Sequence, residues 1–145
     1  MSDRPLLFDA SSVFALVREL LGEAPDLFWG SSTVSLAYYE VGNALWKECF
    51  LLRRIVPEEA SKLLKSIFSM LRTMDVTPLE DEDLGKTILD MAGKLNITYY
   101  DAAYLTEAQM SDKLLVTDDE KLARAAEKIG VKTLTSKTIL KQLPS

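Results

Sequence analysis

The chain contains no histidine and a single cysteine, Cys49, in 145 residues. Without imidazole, Ser-His-Asp and Cys-His nucleophile systems are excluded. The common zinc sites, which lean on imidazole or several thiolates, are excluded as well. One cysteine rules out an internal disulfide, and Cys49 falls in a helical apolar pattern that reads as core. No apolar run approaches the roughly 18 residues of a membrane span. The start, "MSDRPLLFDASS", lacks the basic-then-apolar design of a secretory signal. A cytoplasmic, membrane-free protein is therefore expected. Basic residues are outnumbered, 17 against 22 acidic, giving a net charge of -5. That argues against broad nonspecific binding to nucleic acid, though not against a local basic rim around an acidic pocket.

What is present is ordinary for a globular protein: 48 % hydrophobic and 27 % charged residues, enough for one domain over 1–145 with a substantial core. Short apolar runs alternate with helical patterns. Strands are expected at 5–9, 27–34, 74–79, 114–116 and 131–134, with 97–100 a strand or extended turn. Helices are expected from Ser11 or Ser12 to Gly22, from Ser35 for about 18 residues, and from Pro57 through Leu71. Others are expected from 80–84 onward, over 101–110 and 119–129, and at the C-terminus from Ser136 to Leu143. This alternation predicts a three-layer α/β/α protein with a mainly parallel sheet of four or five strands.

Open parallel sheets bind ligands outside the carboxyl ends of their strands. "LLF" leads to Asp9, "ITYY" to Asp101, and "LLV" to Thr117, Asp118 and Asp119. Parallel strands carry these acids to one edge. Glu40, Asn43 and Lys47 share one face of the long helix, with Glu40 in its early turns. Two carboxylates about 4 Å apart repel by about 4 kcal/mol at an effective dielectric of 20. A divalent cation relieves that repulsion, and an all-oxygen set suits Mg²⁺ or Mn²⁺. Each acid also has a plain structural role open to it. Asp101 and the 118–119 pair stand where helix caps belong, and Thr117-x-x-Glu120 fits a capping box.

"LLFDASSVFAL", "SLAYYEVGNALWK", "TYYDAAYLTEAQ" and "LLVTDDEKLARAAEKIGV" together resemble the PIN domain, especially the small ribonucleases of the VapC toxin type. The resemblance covers nearly the whole chain. It implies an acidic pocket in which Asp9, Glu40, Asp101 and Asp119 hold Mg²⁺ or Mn²⁺, with Asp118 at a variable position. Ser11, Asn43 and Thr117 are then supporting groups for carboxylates or substrate, and Lys47 a phosphate contact. The implied activity is metal-dependent endoribonuclease cleavage by in-line attack of water on phosphorus. The implied partners are RNA, a second copy of the chain, and a small DNA-binding antitoxin. Further candidate RNA contacts are Arg53, Arg54, Lys121 and Arg124. Trp29, Tyr38, Tyr39 and Trp46 are expected mostly in the core, with base stacking or a dimer seam as the alternative. Two other readings compete: a PIN-like module that binds RNA or protein without cutting, and an acid-pocket phosphotransfer domain. The second lacks both the Asp-x-Asp of a phosphatase and the early acid pair of a receiver.

Overall fold

The computed structural model describes residues 4–20 and 26–143. Five short parallel strands form one sheet in the order β3-β2-β1-β4-β5. They are β1 (Leu6–Phe8), β2 (Ser32–Val34), β3 (Asp75–Thr77), β4 (Leu114–Val116) and β5 (Thr133–Leu134). β1 and β4 are in register, with Leu7 opposite Leu115 and Phe8 opposite Val116. Leu7, Phe8, Leu115 and Val116 are fully buried, so the central strands are apolar on both faces.

Among the described residues, seven α-helices cover the sheet: α1 (Ala10–Leu20), α2 (Leu36–Trp46), α3 (Pro57–Leu71), α4 (Glu82–Leu95), α5 (Tyr99–Met110), α6 (Glu120–Lys128) and α7 (Ser136–Gln142). α1 packs on α2, α3 and α7, while α5 packs on α4 and α6. The result is the expected three-layer α/β/α arrangement. From β1 the chain steps outward to β2 and β3, then crosses back to β4 and β5 on the other side. The strand order therefore reverses between β1 and β4, the place where open sheets form a ligand crevice. The Gly22 helix stop lies outside the described residues.

Three expectations are corrected. Residues 97–100 form no strand. α4 ends at Leu95 and is capped by Asn96, which takes a left-handed conformation (φ 55°), and α5 begins at Tyr99. That gap is too short for a strand, and Thr98 caps α5 by accepting the Asp101 N–H at 3.0 Å. Asp101 is therefore delivered by a helix start. Second, Asp9 caps α1 in place of Ser11 or Ser12: its Oδ1 accepts the Ser12 N–H at 2.9 Å. Helix assignment then begins at Ala10, directly after the strand. Third, Trp29, Tyr39 and Trp46 are exposed. Trp29 sits in the turn before β2. On α2 the buried line is Ala37, Val41 and Leu45, so Tyr39 and Trp46 fall off it. Tyr38 alone of the four packs inward, edge-on against Phe68. The helix also changes pitch at Lys47–Leu51, a π-helical turn that keeps Cys49 buried but leaves Leu52 outside.

Candidate active site

Asp9 follows β1 directly and is 4 % exposed. Its carboxylate is held on both oxygens. Oδ1 accepts Ser11 Oγ at 2.8 Å and the Ser12 N–H; Oδ2 accepts the buried Thr117 hydroxyl from the end of β4. The Asp9 N–H donates to the Val116 carbonyl at 3.1 Å, and Ser12 Oγ reaches the same carbonyl at 2.8 Å. β1, α1 and β4 are thus tied together at the switch point. Burial pushes the Asp9 carboxyl above its ordinary range, against the opposing pull of Thr117, Ser12 and Ser11.

Glu40 lies one turn into α2. The Tyr104 hydroxyl, rising from beneath on α5, donates to its Oε1 at 2.7 Å. Burial raises the Glu40 carboxyl, and the charges of Asp101 and Asp9 raise it further against the Tyr104 bond. Asp101 is raised by burial and then by Asp119, with Thr98 and the Lys121 ammonium pulling the other way. Tyr104 itself is pushed up by burial and then by Glu40, so it remains a donor at any working pH. The repulsions form one chain. Glu40 senses Asp9 and Asp101, and Asp101 senses Asp119, so all four acids bear on the same edge.

Asp119 doubles as the cap of α6, with Oδ1 accepting the Lys121 and Leu122 N–H groups at 2.9 and 3.2 Å. Thr117 serves both sides, since its Oγ1 also accepts the Asp119 N–H at 3.1 Å. Asp118 turns the other way, its Oδ1 accepting the Ser136 N–H at the start of α7 at 2.8 Å. Asn43 is exposed on α2 one turn past Glu40, and Lys47 is exposed in the π-helical turn. Seven residues of helix put Lys47 about 10 Å beyond Glu40. Of the basic candidates, Lys121 is the one whose charge reaches an acid of the site. Arg54 pairs with Glu48 at 3.5 Å and Arg124 with Glu120 at 3.9 Å.

Sequence reasoning missed Tyr104 and the cap at Thr98. The signal for Tyr104 was available: it stands three residues after Asp101, on the same helix face. The signal for Thr98 was its place three residues before Asp101, the spacing of a capping hydroxyl.

Among the described residues, no three acids already stand at the spacing that grips one ion. A loose set accords with like charges in a partly dry pocket. The donor chemistry fits a hard divalent cation, being all oxygen with neither nitrogen nor sulfur. Asp9 is anchored and buried, Glu40 is held at one oxygen by Tyr104, and Asp101 is only partly buried.

No protein-family model matches the sequence. Two curated relatives, both from Pyrobaculum aerophilum, do. The chain is 35 % identical over 138 residues to the exonuclease VapC9, covering 88 % of this chain and 91 % of that protein. It is 32 % identical over 129 residues to the ribonuclease VapC3, covering 81 % of this chain and 92 % of that one. The crystal structure of PAE2754 from the same organism superposes with a TM-score of 0.75 at 29 % identity, covering 96 % of each chain. With an acid-edged parallel sheet and two such relatives spanning most of its length, the chain belongs to the VapC-type toxin family of PIN domains.

Proposed function

We propose that the chain is a metal-dependent endoribonuclease, the toxin of a toxin–antitoxin pair. The observation that carries this reading is the run of mutually repelling carboxylates Asp9, Glu40, Asp101 and Asp119 at the switch point of the sheet. The names of the two relatives, an exonuclease and a ribonuclease, support nucleic-acid hydrolysis.

Asp9, Glu40, Asp101 and Asp119 would hold Mg²⁺ or Mn²⁺, which supplies water activation and charge neutralisation at phosphorus. The chain's own groups do the rest. Ser11, Ser12 and Thr117 fix both oxygens of the Asp9 carboxylate at the end of β1. Tyr104 holds Glu40 in one rotamer. Lys121 balances charge beside Asp101 and is placed to meet a phosphate. Asn43 and Lys47 extend along α2 as contacts for the rest of the strand. Asp118 is engaged with α7 and has no part in this account.

Two experiments decide the reading. Purified protein with Mn²⁺ should cut single-stranded RNA, EDTA should stop it, and the Asp101→Asn variant should be inert while folded. Failure to cut with any divalent ion would refute it. A covalently closed RNA circle separates the two modes suggested by the relatives' names. An endonuclease opens the circle; an exonuclease digests only the linear form.

The exposed apolar side chains Trp46, Phe50, Leu51 and Leu52, at the far end of α2, support a protein partner. We assign partners of two kinds, a second copy and the antitoxin. Light scattering of the isolated chain tests the homodimer. For the antitoxin, the test is whether an adjacent reading frame encodes a short DNA-binding protein whose co-expression relieves growth arrest.

A further inference from the structure

Beside the acids, the same sheet edge carries a cavity of about 110 Å³ at the carboxyl ends of β2 and β3. Val34, Leu36 and Thr77 line it together with Tyr99 and Ala103 of α5. Leu79 and Tyr100 stand at the mouth and are 45 % and 58 % exposed. The cavity and the acid site share no lining residue, yet they share helices. Tyr100 immediately precedes Asp101 in the first turn of α5. Leu36 lies one turn before Glu40, on the same face of α2. A phosphate held by the acids therefore has its neighbouring nucleoside within reach of the cavity.

The shape and chemistry suit a flat ring. An apolar cavity of about 150 Å³ accommodates benzene, so this smaller one takes only the edge of a base, whose remaining face lies at the mouth beside Tyr100. Two tyrosines supply aromatic faces, and unpaired bases are bound by stacking on such faces. The polar groups are few and one-sided. Glu107 Oε1 accepts Thr77 Oγ1 and Ser111 Oγ, each at 3.1 Å. Its other oxygen takes no bond from the described chain, and a carboxylate can only accept. Ser35, also in the lining, makes no side-chain bond to the helix it precedes.

The geometry points to this cavity as the seat of one unpaired nucleobase adjacent to the scissile phosphate, with Glu107 selecting a base that carries an exocyclic amino group. The inference rests on the nuclease reading above. A cytosine offers Glu107 an amino donor where uracil offers a carbonyl oxygen, which the carboxylate repels.

The test uses wild-type protein, Tyr100→Ala, Ala103→Leu and Glu107→Gln with Mn²⁺ on single-stranded decamers of cytidine or uridine. Wild type should cut oligo(C) about tenfold faster than oligo(U) in kcat/KM, and Glu107→Gln should bring the two near parity. Tyr100→Ala and Ala103→Leu should each cost about tenfold, mainly through KM, the size of one lost base stack. If Ala103→Leu does not fold, Tyr100→Ala, at an exposed position, carries the test. Once the cut is mapped, a single abasic nucleotide is walked along the decamer. Abasic substitution at one position beside the cut should slow wild type about tenfold and Tyr100→Ala no further. Variants that cut every decamer as wild type does, with no position sensitive to base loss, would overturn the pocket and leave the nuclease standing. Equal wild-type rates on oligo(C) and oligo(U) would overturn the selection by Glu107. Wild type that cuts nothing would overturn the nuclease reading, and the occupant of the cavity with it.

Discussion

The two halves of the sheet edge are built on opposite principles. At β2 and β3 the strands run out into Val34, Leu36, Leu79 and Ile88, an apolar wall over the core. At β1 and β4 they run out into Asp9, Thr117 and Asp119, with Glu40 and Asp101 leaning in. The backbone geometry is the same in both halves. What differs is the cost of burial. The apolar half gains by leaving water, whereas the acidic half has three carboxyls pushed upward by it. One half stabilises the fold and the other stores repulsion, which the proposed cation would relieve.

That contrast can be broken most forcefully in the acidic half. Asp101→Asn, or Glu40→Gln, should cut RNA hydrolysis at least about 100-fold, a loss of about 3 kcal/mol in the barrier. Both should leave thermal stability unchanged or slightly higher, because a repelling charge is gone. A calorimetric scan beside an activity assay checks the pair; a large drop in Tm would show that these acids hold the fold together. Ile88→Ala, in the apolar half, should do the reverse. Ile88 is 3 % exposed, so its loss should cost about 2–4 kcal/mol in denaturant unfolding.

A smaller effect is expected at the seam. Thr117→Val keeps the shape but leaves Asp9 Oδ2 without its donor, and the Asp119 N–H without its acceptor. A loss of about 2 kcal/mol should follow in urea titration. Tyr104→Phe frees Glu40 and should cost about 1 kcal/mol of stability and several-fold in activity. A variant indistinguishable from wild type in activity would remove Tyr104 as a positioning residue.

The smallest effect has a sign fixed by linkage. Burial raises the Asp9 carboxyl in the folded state, so the folded protein binds that proton more tightly than the unfolded one. Stability from this group falls as pH rises from about 4 through the raised folded value, and stays lower above it. Asp9→Asn removes the penalty. Its Tm relative to wild type should rise as pH rises through that interval. It should fall when Mn²⁺ is added, since binding to the folded state stabilises wild type alone. A difference that stays constant with pH would contradict the burial argument.

Much of the molecule was legible from residue pattern. The alternation of short apolar runs with amphipathic stretches gave the layers, and acids after 6–8 and 114–116 marked the edge. Asp101 was expected beside the other acids for a partly mistaken reason. "ITYY" has the β-branched and aromatic content of a strand, and tertiary packing overrode that propensity by closing two helices around Thr98. Asp118 and Asp119 could not be separated by chemistry alone. Only the backbone after β4 shows one capping α6 beside Asp101 and the other facing Ser136. The exposed tryptophans were misjudged because size and apolarity favour burial on average, while helix phase decides each case. The cavity at β2 and β3 was invisible because its lining comes from four separate segments, none with a motif.

Asp9 begins a helix as well as standing among the clustered acids, and asparagine starts helices as readily as aspartate does. Exchanging one oxygen for a nitrogen at that position keeps the cap at Oδ1 and removes only the acceptor that faces Thr117. On the proposed function, a single-base change in one codon would separate a cutter from a silent look-alike of nearly the same shape, and outline alone would give no warning of which one is in hand.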